Sequence, residues 1–199
     1  MVPKSTQKWN TRKRFMNLSN NFLVSLPTLT SSQFNQSVVL LSEHTGDGAS
    51  GWIINKQLDD KVAIRLRKGM NLNRDVPLYY GGPVEVNNAA VIHSNDLKLP
   101  STRPLNEHLS ITRDKNIVNV MNIGQFPEFW KVIVGRSSWG AGQLESEILG
   151  SRNNGISNWM YLDYTPQLMW DTLPSKQWKT AIELGAQEMT KQVFKTQKT

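Results

Sequence analysis

Arg136, Ser137 and Ser138 stand between Gly135 and Gly140, and Gly142 follows two residues later. An arginine fork and two hydroxyls among glycines can hold a phosphate or a carboxylate. The run Phe129–Val134 before them reads as a strand. The residues from Trp139 to Leu149 read as a helix with Ala141, Leu144 and Ile148 on one stripe. The spacing therefore predicts a strand-to-helix turn over Gly135–Gly142. The unpaired N–H groups of a helix start carry about half a positive charge, which favours an anion. Arg136, Ser137, Ser138, Gly140 and Gly142 are the candidate ligand-binding residues. The competing reading is packing. Gly140 and Gly142 would let the helix and sheet backbones approach, Glu145 would satisfy the positive end itself, and Gly142→Val would clash.

Other chemistries fit less well. Strand, sharp turn, serine and helix is the setting of a nucleophile elbow, but Trp139 stands where G-x-S-x-G requires its second glycine. His44, His93 and His108 are the only imidazoles, and no spacing brings one to the serines. They form no H-x-x-x-H pair, and the chain has no cysteine, so thiolate metal sites, disulfides and a cysteine nucleophile are excluded. Gly140-Ala141-Gly142 lacks the third glycine and the downstream acid of a dinucleotide fingerprint. The sequence assigns no catalytic residue, metal or cofactor. Trp52, Trp130, Trp139, Trp159, Trp170 and Trp178 lie in patterned segments and are expected in the core. Only Lys131 and Arg136 interleave with them, fewer cations than a stacking platform for single-stranded nucleic acid needs.

The formal charge of +7 sits at the ends of the 199-residue chain. Lys4, Lys8, Arg12, Lys13 and Arg14 precede any acid, and the segment after Ala186 adds a smaller excess. Residues 15–186 are neutral as a whole. The reading is a disordered basic arm over 1–17, one domain over 18–186 and a basic tail over 187–199. Lys8, Arg12, Lys13 and Arg14 are candidate nonspecific contacts to nucleic acid, and a start at Met16 would remove them. Within the domain, Arg65, Arg67, Lys68 and Arg74 form a local basic cluster. No window approaches the roughly 20 apolar residues of a membrane span, and no apolar signal segment follows the basic start. A cytoplasmic location without membrane contact is expected, with nucleic acid or another protein as possible partners.

The elements needed to position these residues are short and mixed. Phe22–Leu26, Val38–Leu41 and Ser50–Ile54 read as strands, the last two a hairpin around His44–Gly48. Asp59 and Asp114 cap helices reaching about Lys68 and Asn122. Val62, Ile64 and Leu66 are the apolar residues of the first. Leu78–Tyr80, Ala89–His93 and Leu109–Thr112 read as strands, with a turn at Gly81-Gly82-Pro83. Trp159–Leu162 and Leu168–Trp170 are short apolar runs, and a last helix opens near Pro174. Strict βαβ alternation is absent, which predicts an α+β domain.

Trp139-Gly140-Ala141-Gly142-Gln143-Leu144-Glu145 resembles the WGAGQLE signature of the YqgE/AlgH family, the UPF0301 group. The resemblance extends over residues 20–185. It includes Asn21–Pro27, Phe34 with Ser37–Leu40, Glu43-His44, Gly51 with Ile54-Asn55, and Gly81–Val84. It continues through His93-Ser94, Thr112–Asp114 and Trp170–Thr172 with Pro174 and Trp178. Gly135-Arg136-Ser137-Ser138 departs from the family's G-Y-small-G pattern before the signature. The resemblance implies a compact, β-barrel-like mixed sheet flanked by helices. It implies no settled activity, although some members carry the label of transcriptional regulator. A non-enzymatic binding or regulatory protein is the first functional expectation. The second is an anion or small-molecule site at Gly135–Gly142, on a binding domain or an enzyme.

Overall fold

The computed structural model describes residues 17–30, 32–151 and 153–196. Nine strands are joined in one sheet: β1 (Phe22–Ser25), β2 (Val38–Thr45), β3 (Gly48–Ile53), β4 (Leu78–Tyr80), β5 (Val84–Ser94), β6 (Arg103–Pro104), β7 (Leu109–Thr112), β8 (Trp130–Gly140) and β9 (Trp159–Leu162). The helices are α1 (Asp60–Met70), α2 (Lys115–Asn122), α3 (Gln143–Ile148) and α4 (Pro174–Thr196), with a π-helical turn at Gln167–Asp171. The strand order is β6-β7-β5-β8-β3-β2-β1-β9, and β4 joins β8 as the parallel neighbour. The sheet is otherwise antiparallel and curls into a half-barrel, so the fold is α+β with helices against the sheet.

Continuous apolar runs arise because the central strands are buried on both faces. Phe22 and Val24 of β1 enter one core while Leu23 enters another. Val38 and Leu40 of β2 likewise oppose Val39 and Leu41. The first core also takes Trp52, Ile92 and Ile133, together with Leu168, Met169 and Ala181 from the π-turn and α4. Trp178 anchors α4 by donating its indole N–H to the Ser25 carbonyl at 2.8 Å. The second core lies under α3 and the third under α1 and α2.

The two expected caps are present. Asp59 accepts from the Val62 N–H, and Asp114 from the Asn116 N–H. In α1 the expected apolar set is only partly the buried one. Ala63, Leu66 and Met70 pack on the sheet, while Ile64 is exposed, because the helical period and not the alternation of Val62, Ile64 and Leu66 sets the inner face. The six expected tryptophans all pack. Trp52, Trp139 and Trp159 are buried, and Trp130, Trp170 and Trp178 are partly so. Helix α4 continues past Ala186 to Thr196. No helix among the described residues is long and apolar enough to cross a membrane.

Candidate ligand-binding site

The strand-to-helix turn expected at Gly135–Gly142 is not formed. β8 continues to Gly140, pairing Ser137, Ser138, Trp139 and Gly140 with Gly51, Ser50, Ala49 and Gly48. α3 begins at Gln143 and has only six residues. The reason lies at Gly135, whose left-handed φ of 78° bends the strand without ending it. A side chain there would collide with the Gly82 carbonyl, and one at Gly81 would collide with the Gly135 carbonyl. The Gly81-Gly82-Pro83 turn is thus the close partner of β8.

This brings only Arg136 and Ser138 of the five predicted residues to one depression and places the others apart. Ser137 is buried and donates to the Gly81 carbonyl at 3.0 Å. Ser138 faces out beside a shallow depression rimmed by Glu43 and Asp47. Gly140 donates its N–H to Gln143 Oε1. Gly142 caps α3 with φ 67°, and a Cβ there meets open space, so the expected clash is absent. Arg136 follows the Gly135 bend and lines the same depression as Ser138, while its Nε lies 3.1 Å from Glu85 Oε1 on the bulge of β5. That contact is an ion pair without hydrogen-bond geometry, and the buried Nε makes no hydrogen bond. Lys8, Arg12, Lys13 and Arg14 lie outside the described residues.

Trp139, Gln143 and Glu145 of the signature join residues outside it in a clasp. Glu147 Oε2 accepts from the indole N–H groups of Trp159 at 2.7 Å and Trp139 at 3.2 Å. Glu147 Oε1 accepts from Gln143 Nε2 at 2.9 Å. Phe34 stacks on Trp139 and meets the edge of Trp159. Glu145 lies 3.2 Å from Nε2 of the buried His44, whose Nδ1 accepts from the Leu18 N–H. Together these contacts bind α3 to β8, β9 and β2.

Across the sheet a groove of about 470 Å³ opens between the end of α1, the start of α2 and β5. Its floor includes Val91, Ile117, Met121 and Val132 of the third core. Its rim carries Asn71, Asn87, Asn88, Thr112, Arg113 and Lys115. Its far wall is held by Asn122, which accepts from the Asn73 N–H and donates to the Asn71 carbonyl. Two cations of the predicted basic cluster are spent on the same wall. Arg67 pairs with Asp75 and donates to the Val76 carbonyl, and Arg74 donates to the Asn122 carbonyl. Arg65 and Lys68 are exposed.

At the near end, Val84 pairs with Arg136 but Ala89 pairs with Val134, so Glu85–Asn88 bulge out of the ladder. Glu85 sits at φ 54°, a left-handed conformation uncommon for glutamate. Arg113 lies over the Trp52 ring, 5.1 Å from Cζ to the centroid. A pit of about 20 Å³ between Trp52, Glu85, Arg113 and Arg136 adjoins the groove.

Two buried basic groups complete the picture. His93 Nδ1 donates to the Ser94 carbonyl, so Nε2 accepts from Thr112, which in turn accepts from Thr102. Burial lowers the His93 pKa, partly offset by the Ser94 carbonyl and the Asp96 charge. Lys131 is buried with Nζ 4.3 Å from the Tyr79 ring centroid, and burial lowers its pKa to about 8. Sequence reasoning singled out neither as a site, nor Glu85, Arg103 or Arg113. Among the described residues no cluster of carboxylates and histidines could hold a metal ion.

Residues 22–190 match the AlgH-like family. The chain belongs to that family. A UPF0301 protein of Proteus mirabilis is 32% identical over 178 residues, covering 85% of this chain and 92% of that protein. A UPF0301 protein of Vibrio parahaemolyticus is 30% identical over 177 residues, covering 84% and 91%. The solution structure of the AlgH protein from Pseudomonas aeruginosa aligns with a TM-score of 0.67 at 26% identity, over 92% of this chain and 90% of that one. The crystal structure of protein DIP2367 from Corynebacterium diphtheriae shares the fold, with a TM-score of 0.63 at 19% identity over 90% and 93%. The two most distinctive blocks of the AlgH-like resemblance therefore have different settings. WGAGQLE contributes to the clasp, and Gly81–Val84 leads into the bulge at the groove.

Proposed function

We propose that this chain is a non-catalytic binding protein that takes a small amphiphile in the groove between α1, α2 and β5. The groove itself carries the reading. Its volume of about 470 Å³ lies in the range of small-molecule sites, and an apolar floor under a polar rim is their usual chemistry. The walls are held by capped helices and the Asn122 hydrogen bonds, so a ligand need not order them. A regulatory role of the kind some family members are labelled with would act through occupancy of such a site. The test is an uncharged fluorescent probe, N-phenyl-1-naphthylamine. Its emission should rise with the wild-type protein and stay at the solvent level with Val118→Trp, which fills the groove from α2. Equal emission from both proteins, with equal melting temperatures, would place the apolar site elsewhere.

Nonspecific nucleic-acid contact through Lys8, Arg12, Lys13 and Arg14 is a separate proposal supported by the charge of the arm. Binding of two unrelated duplexes should be equal, salt-dependent and lost from a chain beginning at Met16. Retention of tight, selective binding by the shortened chain would overturn it.

A further inference from the structure

We propose that Arg113 and Arg136 form an oxyanion subsite at the bulged end of the groove, with Arg103 nearby, and that Glu85 occupies it in the free protein. The ligand is then an amphiphile with a phosphate or carboxylate head and an apolar body. This deepens the groove reading and rests on it.

Two guanidinium groups, those of Arg136 and Arg113, lie in the field of one carboxylate, Glu85. Arg136 meets Glu85 at 3.1 Å, and both Arg103 and Arg136 act electrostatically on Arg113. Burial lowers the Arg113 pKa, Glu85 opposes that, and the two arginines add to it. The group nevertheless stays cationic at neutral pH. Arg113, Arg136 and Glu85 line one pit, so the charge there is one positive in excess before Arg103 is added.

The donors are also underused. Arg113 makes no hydrogen bond or ion pair with a described residue; the Trp52 face holds its guanidinium from one side. Arg136 Nε is buried without a hydrogen bond. A phosphate or carboxylate offers several acceptor oxygens to such forks. Glu85 supplies one poorly angled contact and is itself 40% exposed. Displacing it forfeits little, since partly exposed ion pairs contribute on the order of 0–1 kcal/mol. Glu85 belongs to the bulge, so it can swing away without breaking the β5–β8 ladder. Glu85, Asn88, Ala89 and Arg113 line both the pit and the groove, so a head that takes the place of the Glu85 carboxylate beside the pit has its body over the apolar floor.

The experiment is calorimetric titration of hexyl phosphate, inorganic phosphate and hexanol into wild type, Arg113→Gln, Arg136→Gln and Glu85→Gln. Hexyl phosphate should bind wild type, with hexanol at least about tenfold weaker. Arg113→Gln should weaken hexyl phosphate by about tenfold and leave the naphthylamine probe unaffected. Glu85→Gln should tighten hexyl phosphate by about two- to fivefold, a gain that a misfolded variant cannot give. Equal affinities for hexyl and inorganic phosphate would make the free anion the ligand of the same arginines. Unchanged hexyl phosphate affinity in Arg113→Gln and Glu85→Gln, with the naphthylamine still bound, would overturn the subsite and leave the groove. Loss of naphthylamine binding to wild type would remove the groove reading itself.

Discussion

The C-terminal end of β8 and the bend at Gly135 are finished to different degrees. At the Gly140 end, the polar groups of the clasp are matched: Glu147 takes two indole N–H groups and the Gln143 amide, and Gln143 Oε1 takes the Gly140 N–H. At the bend, Arg136 Nε is buried without a hydrogen bond, Arg113 rests on an aromatic face without a hydrogen bond, and Glu85 stands in left-handed backbone. Matched polar groups stabilise a fold and leave little for a ligand to do. Unmatched donors beside an open groove and a strained residue are what binding can complete. The most conspicuous motif therefore marks the place where the chain holds itself together, while the sparse residues across the sheet are free to hold something else.

The largest effect that would sharpen this contrast is at Glu147. Glu147→Ala leaves two indole N–H groups of the second core without an acceptor. It should lower stability by about 2–3 kcal/mol in urea denaturation and leave hexyl phosphate affinity unchanged. Loss of affinity at unchanged stability would break the contrast, because the clasp would then be the site. Arg113→Gln should do the reverse, weakening the anion by about tenfold with a melting temperature close to wild type.

A smaller effect is expected at Gly142. With open space around its Cβ, the cost of Gly142→Val comes from φ 67° and not from a collision. It should be about 1–2 kcal/mol, and Gly142→Asn should recover most of it, since asparagine tolerates this conformation. Equal loss in both variants would restore the packing explanation. The smallest effect concerns pH. Burial keeps the His93 pKa below its unfolded value, so its contribution to stability is fully present above about pH 6.5 and declines as pH falls below that. Replacing His93 with Gln should flatten this part of the stability profile. An unchanged slope would assign the acid dependence to other groups.

Much of the framework was legible because it is local. Buried strands gave apolar runs, glycines and Asp47 marked the β2–β3 turn, and Asp59 and Asp114 announced their helices. The end of β8 was misread for a physical reason. A left-handed glycine either stops a strand or bends it, and Gly135 looks the same in both cases. The better signal was the alternation that buries Ser137 and Trp139 and exposes Ser138 and Gly140, a period of two that no helix shares. The groove had no local signal. Met70, Ala89, Arg113 and Val118 come together only because β7 pairs with β5 and α2 lies over the third core. The backbone strain at Glu85 is likewise invisible from its residue type.

The most direct test of the account is a two-dimensional amide NMR titration of the wild-type protein with hexyl phosphate. The account predicts saturable shifts at Glu85–Val91 and Thr112–Lys115, with Gly140–Glu147 unmoved. Shifts centred on Gly140–Glu147 with the groove residues silent would contradict it and return the site to the signature.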